Sequence, residues 1–300
     1  MAKLLKINDL TKNYGKKHAL QNINLSIPKG SCYGIVGPNG AGKTTLLKII
    51  ASILKETQGS VKFNQKAKIG YVPQEICLEQ SLSAVSNLYF FGQLYGLKGQ
   101  KLKQQTNKIL KKIGLFNRRL DKVKDYSGGM KRRLNIGCAL MSEPDLIILD
   151  EPTVGIDPQS RKFIFQLLNE LREKSCTVIY ASHYMEEVEQ LCDQIAFFDN
   201  GEVIENGHVD EILNRHGRTT IYVQGKHLTV KELEHFGNVS NYQRGYVITG
   251  GNSFRILKEM LVLFENKPNH LERLELLQPR LVDVFMKLTG NELRDNVNEV

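Results

Sequence analysis

Gly37-Pro38-Asn39-Gly40-Ala41-Gly42-Lys43-Thr44 decides the reading of this chain, because it fits the phosphate-binding loop pattern G-x-x-x-x-G-K-[ST]. It stands in the setting its chemistry requires. Before it, Ser31–Val36 is a short apolar run that reads as a buried strand, and after it Thr44–Leu54 has apolar residues at helical spacing. The glycines let the backbone curl with its N–H groups facing inward, and the following helix start adds the positive end of its dipole. Lys43 is placed to reach β- and γ-phosphates, and the Thr44 hydroxyl, followed by Thr45, to hold Mg²⁺.

Two further stretches carry the same chemistry. Leu146-Ile147-Ile148-Leu149-Asp150-Glu151-Pro152 is an apolar run that ends in two carboxylates, as expected of a buried parallel strand emerging at the carboxyl edge of a sheet. There Asp150 is expected to face the Mg²⁺ shell, and Glu151 to polarise a water for attack on a γ-phosphate. Tyr126-Ser127-Gly128-Gly129-Met130 supplies a second glycine-turn phosphate motif that the first does not explain.

With these motifs in this order, residues 4 to about 215 resemble the ATP-binding subunit of an ABC transporter. The resemblance implies an α/β fold: a P-loop NTPase cassette with a helical subdomain at about 80–140. It implies ATP and Mg²⁺ as cofactors, ATPase activity, a second ATP-binding subunit in a homodimer, and separate transmembrane permease subunits. By the same resemblance Tyr14 stacks on adenine, and Gln74 senses Mg²⁺ and links to the membrane partner. Ser127, Gly128 and Gly129 bind the γ-phosphate held by the opposite subunit. Asp157, in Gly155-Ile156-Asp157, lies in the loop joining the two sites, and His183 follows the strand Thr177–Ser182 as the switch histidine. The family usually has Leu and Gln where Tyr126 and Met130 stand, a departure similar to that of a large exporter subgroup. Gln278–Gly290 is similar to the C-terminal tail of the subunits that serve drug, antibiotic and sodium exporters.

Composition fits an ordinary α/β protein, with 41% hydrophobic and 24% charged residues. No apolar stretch approaches the roughly 20 residues of a membrane-spanning helix, and the start of the chain leads directly into a strand with no secretory apolar region. The expected place is cytoplasmic, peripheral on the inner face of the cell membrane. Cys32, Cys77, Cys138, Cys176 and Cys192 show no CxxC spacing and read as reduced thiols without metal. Between Lys98 and Arg133 stand thirteen Lys or Arg and two acids, giving +11 against +9 for the whole chain. A basic surface there suits an anionic leaflet or acidic coupling helices as well as a solvated face.

A pI above 9 raises a second class, the soluble ABC ATPases of nucleic acid and ribosomes. Those of DNA repair carry a long coiled coil, and those of translation carry two cassettes in one chain. Neither feature is present here, so no nucleic-acid partner is expected. A length of 300 residues leads to two domains, a cassette over 1–215 and an accessory α+β module over 216–300. In the module, strands are expected at Thr219–Gln224, Tyr246–Thr249 and near Leu271–Leu277, and helices at Val230–Phe236, Ser253–Glu265 and Arg280–Leu288. Leu281, Val284, Phe285 and Leu288 form an apolar stripe that can pack inside the module or against a second copy. Asn291–Val300 reads as a polar, frayed end.

Overall fold

A computed structural model describes residues 2–226, 228–265 and 270–290, and the expected frayed end lies outside them. The chain divides into two compact units, one containing Met1–Val209 and one spanning Asp210–Asn291.

The first unit runs β1 (Lys3–Tyr14), β2 (Lys17–Pro28), β3 (Cys32–Val36), α1 (Lys43–Ile50), β4 (Gln58–Phe63) and β5 (Ile69–Val72). Then come α2 (Ala84–Leu94), α3 (Gly99–Lys112), α4 (Gly128–Leu140), β6 (Leu146–Asp150), α5 (Pro158–Glu173), β7 (Thr177–Ser182), α6 (Met185–Leu191), β8 (Gln194–Asp199), β9 (Glu202–His208) and the start of α7 (Val209–His216). Strands β2-β1-β4 form an antiparallel sheet. A second sheet has the order β5-β6-β7-β3-β8-β9, parallel except for β9.

Every residue of β3, β6 and β7 is buried, which is why these segments read as continuous apolar runs: a parallel sheet covered on both faces has no solvent side to alternate with. Leu46, Leu47, Ile49 and Ile50 of α1 share one core with Leu5, Ile7 and Ile23 of the antiparallel sheet and with Ile35, Ile148 and Ile179 of the parallel one. Because β6, β7 and β3 are neighbours, their carboxyl ends place Asp150, Ser182 and the Gly37 loop side by side.

Helix α1 stops at Ile50, four residues before the expected Leu54. Ser52 takes φ +59°, and the bonds Ser52 N–H to Ile49 O at 2.9 Å and Ile53 N–H to Lys48 O at 2.8 Å close the helix end. No glycine marks this stop, so the spacing alone ran on. The hairpin expected around Asn200–Gly207 is β8–β9, turning at Asn200 and Gly201, both with positive φ (+49° and +81°) as a two-residue turn of this hand requires.

The second unit holds the rest of α7, then β10 (Thr220–Gln224), α8 (Val230–Leu233), β11 (Asn238–Tyr242), β12 (Gly245–Thr249), α9 (Ser253–Glu265), β13 (Arg273–Leu277) and α10 (Leu281–Thr289). Its antiparallel sheet has the order β11-β12-β10-β13, with Ile221, Val223 and Ile248 facing Ile256, Met260 and Phe264 of α9. Leu281, Val284 and Phe285 of the stripe are buried. The expected helix at Val230–Phe236 is one turn of α-helix that tightens to a 3₁₀ turn at Glu234. Strand β11 was not expected: Asn-Val-Ser-Asn-Tyr lies at a sheet edge with four of its five residues exposed, so it carries no apolar alternation.

Candidate active site

A cavity of about 510 Å³ opens at the carboxyl edge of β3 and β6, lined by Tyr14, Lys17, His18, Asn39 through Thr45, Gln74, Glu151 and Asn200. That volume lies within the roughly 300–1,000 Å³ of small-molecule sites. Gly42 has φ +103° at the start of α1, and no side chain caps this helix end. The N–H groups of the first turn are thus left for an anion. A Cβ on Gly42 would stand 2.6 Å from the Ala19 carbonyl, and one on Gly37 would collide with the Phe198 carbonyl, so the loop follows a path only glycine allows. Tyr14 is half exposed at the cavity mouth, with Lys12 Nζ over its ring at 5.2 Å from the centroid.

Lys43 is buried, with its Nζ donating to Gly37 O at 2.6 Å and Pro38 O at 3.1 Å. The same Nζ lies 3.2 Å from Glu151 Oε1. The other oxygen of Glu151 meets His183, with Nδ1 at 2.8 Å and the backbone N–H at 3.3 Å from Oε2. Burial pushes the Glu151 carboxyl upward, but the His183 hydrogen bond and the Lys43 charge outweigh it, leaving its pKa below the ordinary value. Glu151 also holds φ +48°, a left-handed conformation that costs a non-glycine residue of order 1–3 kcal/mol. The turn aims its side chain back between Lys43 and His183.

Asp150 is the opposite case. Burial, and then Glu151 beside it, raise its pKa, against the Thr44 hydroxyl and Lys43. Its Oδ1 is buried without a hydrogen-bond partner. An orphaned carboxylate oxygen next to the Thr44 hydroxyl is a hard oxygen donor set of the kind Mg²⁺ takes. The glycine cradle fits a polyphosphate, so the residues present suit Mg-ATP.

Ser127, Gly128, Gly129 and Asp157 do not line this cavity. They form a cluster of their own: Ser127 Oγ accepts from Met130 N–H at 3.3 Å at the start of α4, and Asp157 Oδ1 accepts from Ser160 N–H at 2.8 Å at the start of α5. A Cβ on Gly129 would collide with Ser160 Oγ and stand 2.9 Å from Asp157 Oδ2, which fixes how closely the two helix starts pack.

Two residues of α4 went unread in the sequence. Arg132 and Asn135, one turn apart on α4, hold the loop that carries Gln74: Arg132 donates to Pro73 O and Gln74 O, and Asn135 Oδ1 accepts from Cys77 N–H at 3.3 Å. No local pattern marks them, since their partners are backbone groups some 60 residues earlier.

Residues 20–154 match the ABC transporter family. Over 97% of the chain and the full length of the relative, 39% of aligned residues are identical to the linearmycin resistance ATP-binding protein of Bacillus subtilis strain 168. The chain belongs to the ABC transporter family, as an ATP-binding subunit. The Nod factor export ATP-binding protein I of Cupriavidus pinatubonensis is 32% identical over 97% of the chain and 92% of its own length. A daunorubicin resistance ATP-binding protein of Streptomyces coeruleorubidus is 29% identical over 96% of each. Among solved structures, an ABC transporter cassette in its ADP conformation superposes with a TM-score of 0.67 at 26% identity, covering 72% of this chain and 95% of that one. A dimeric cassette in a post-hydrolysis state with ADP and Pi gives 0.63 at 29% identity, covering 68% and 98%. The ABC protein is accordingly an ATPase that uses ATP and Mg²⁺, pairs with a second cassette and works with separate permease subunits. Among its described residues no helix is long and apolar enough to cross a membrane.

Proposed function

We propose that this subunit powers export of a drug, an antibiotic or another small molecule, seated peripherally on the cytoplasmic face of the membrane against its permease. The support is the similarity along nearly the whole chain to resistance and export subunits. In this reading residues 1–215 are the cassette and 216–300 an accessory module.

The observation that carries the chemistry is Glu151 held between Lys43 and His183. Tyr14 receives the adenine, and residues 37–45 wrap the phosphates with Lys43 at the terminal pair. Thr44, Asp150 and Gln74 would hold Mg²⁺, which when bound would supply positive charge against the charge that develops on the phosphates. Glu151 is ionised, accepts a proton from the attacking water, and keeps its orientation because His183 fixes one oxygen. Ser127, Gly128 and Gly129 serve the ATP of the opposite subunit, and Asp157 joins the two sites.

The test is reconstitution with the permease in lipid vesicles and a scan for compounds that stimulate ATP hydrolysis. Stimulation by a transported antibiotic or amphiphile, lost in Glu151→Gln, is the expected result. Hydrolysis stimulated by nucleic acid and indifferent to the permease would overturn the proposal.

A further inference from the structure

Glu187 is the third residue of α6, and it is 3% exposed. A carboxylate is rarely buried to this extent unless it is paired, so its neighbours must account for it. Oε2 accepts three hydroxyls: Thr153 Oγ1 at 2.6 Å, Tyr180 OH at 2.8 Å and Ser182 Oγ at 3.3 Å. Oε1 faces the Arg161 guanidinium, 3.3 Å away.

The donors come from three parts of the site: the segment after Glu151, strand β7 and helix α5. Thr153 is two residues past Glu151, in the segment whose left-handed turn aims that carboxylate. Ser182 immediately precedes His183, and its Oγ also accepts from Tyr184 N–H at 3.0 Å, so it clasps the backbone on both sides of the histidine. Arg161 lies on the first turn of α5, the helix that Asp157 caps. Tyr180 is the anchor: it sits inside β7, fully buried, with its ring edge-on to Phe165.

One carboxylate therefore joins the segment after the candidate base, the residue before its histidine, and the helix leading from the loop between subunits. We propose that Glu187 is a positioning residue that sets the Glu151–His183 geometry and ties it to Asp157, so that the hydrolytic pair and the intersubunit loop move together. This rests on the reading of Glu151 and His183 as the hydrolytic pair. A buried carboxyl group suits such a role, because three hydroxyl donors and a guanidinium converging on one group leave few alternative arrangements.

The experiment compares kcat and KM for Mg-ATP in the full-length protein and in Glu187→Gln, His183→Ala and the double variant, with melting temperatures alongside. In Glu187→Gln kcat should fall about tenfold or more while KM stays within about twofold. On the His183→Ala background the same change should lower kcat by clearly less than in the parent protein, because only the Glu151 segment, held through Thr153, is then left to position. Two isosteric changes keep the idea testable if Glu187→Gln folds poorly. Thr153→Val, which cuts the link to the Glu151 segment, should lower kcat severalfold, and Tyr180→Phe, which removes only the anchor hydroxyl, should act mainly on the melting temperature. A kcat loss that simply multiplies with that of His183→Ala, or a Thr153→Val enzyme with ordinary kcat, sinks the proposal. If His183→Ala itself turns over normally, the underlying reading of the pair fails instead, and the proposal with it.

Discussion

Arg132 Nη2 donates to Gln74 O at 2.5 Å while Nη1 donates to Pro73 O at 2.8 Å, so one buried guanidinium holds two consecutive carbonyls. Arg132 is on α4, five residues after Ser127, and Gln74 lines the nucleotide cavity. The backbone of the Gln74 loop is therefore carried by the helix that starts with the second glycine motif. Strand β5, which precedes the loop, belongs to the parallel sheet and ends at Val72. The change from sheet to helix support falls within two residues of Gln74.

Arg132→Ala should cost about 2–4 kcal/mol of stability, because two carbonyls of the Gln74 loop lose their charged donor and the buried Arg132 side chain leaves a void in α4 packing. Urea unfolding followed by circular dichroism reads this directly. A midpoint equal to that of the parent protein would mean the loop finds other donors, contrary to the geometry described.

The parts of the site written as local patterns were legible in the sequence. The Gly37–Thr44 loop, the Asp150–Glu151 strand end and His183 after β7 each combine a composition with an adjacent element, and the sheet order brings their carboxyl ends together. What stayed hidden depends on distant backbone or on conformation. Arg132 and Asn135 bond to loop carbonyls and amides, Glu187 looks like one acid among several on α6, and the φ of +48° at Glu151 leaves no trace in residue type. The early stop of α1 at Ile50, closed by the turn at Ser52, and the polar edge strand β11 escaped for the same reason: propensity and periodicity say nothing where a closing turn or a neighbouring strand decides.

Glu151→Gln and Lys43→Ala should separate binding from turnover. The first removes the proton acceptor but keeps the shape, so Mg-ATP binding should persist and trap a closed dimer while kcat falls about 10²–10⁴-fold. The second removes the charge meant for the terminal phosphates, so nucleotide affinity should fall first. Equilibrium binding of a fluorescent ATP analogue, sedimentation and steady-state turnover together distinguish the two. A Glu151→Gln protein that hydrolyses ATP at the parent rate would falsify its role as base.

Asp150 and Glu151 predict opposite pH effects. The Glu151 carboxyl, depressed in the folded protein by His183 and Lys43 despite burial, contributes stability present above its unfolded value of 4.5 and lost as pH falls through the lower folded value. Asp150 is raised by burial and by Glu151, so its ionisation opposes folding above the unfolded value of 3.8. Without Mg²⁺ at neutral pH, Asp150→Asn should raise the melting temperature, by about 2–4 °C for each kcal/mol recovered. With Mg-ATP the order should reverse, since only the parent protein gains stability from the ion. Melting curves of both proteins with and without Mg-ATP decide it, and a variant that Mg-ATP stabilises as much as the parent excludes Asp150 from the ion's shell.

Separation of Ser127–Gly129 from the Lys43 cavity within one chain predicts complementation between chains. Mixing a Lys43→Ala subunit with a Ser127→Arg subunit leaves each heterodimer one intact composite site, whereas either homodimer has none. Hydrolysis should be lost in each variant alone and partly restored in the mixture, up to about half the parent rate per heterodimer if the sites work independently. Native mass spectrometry confirms that heterodimers form, and a crosslink from Ser127 to the opposite phosphate loop supplies a reading independent of turnover. Heterodimers without recovery but with the crosslink mean the two sites must act together; heterodimers with neither recovery nor crosslink refute the shared site.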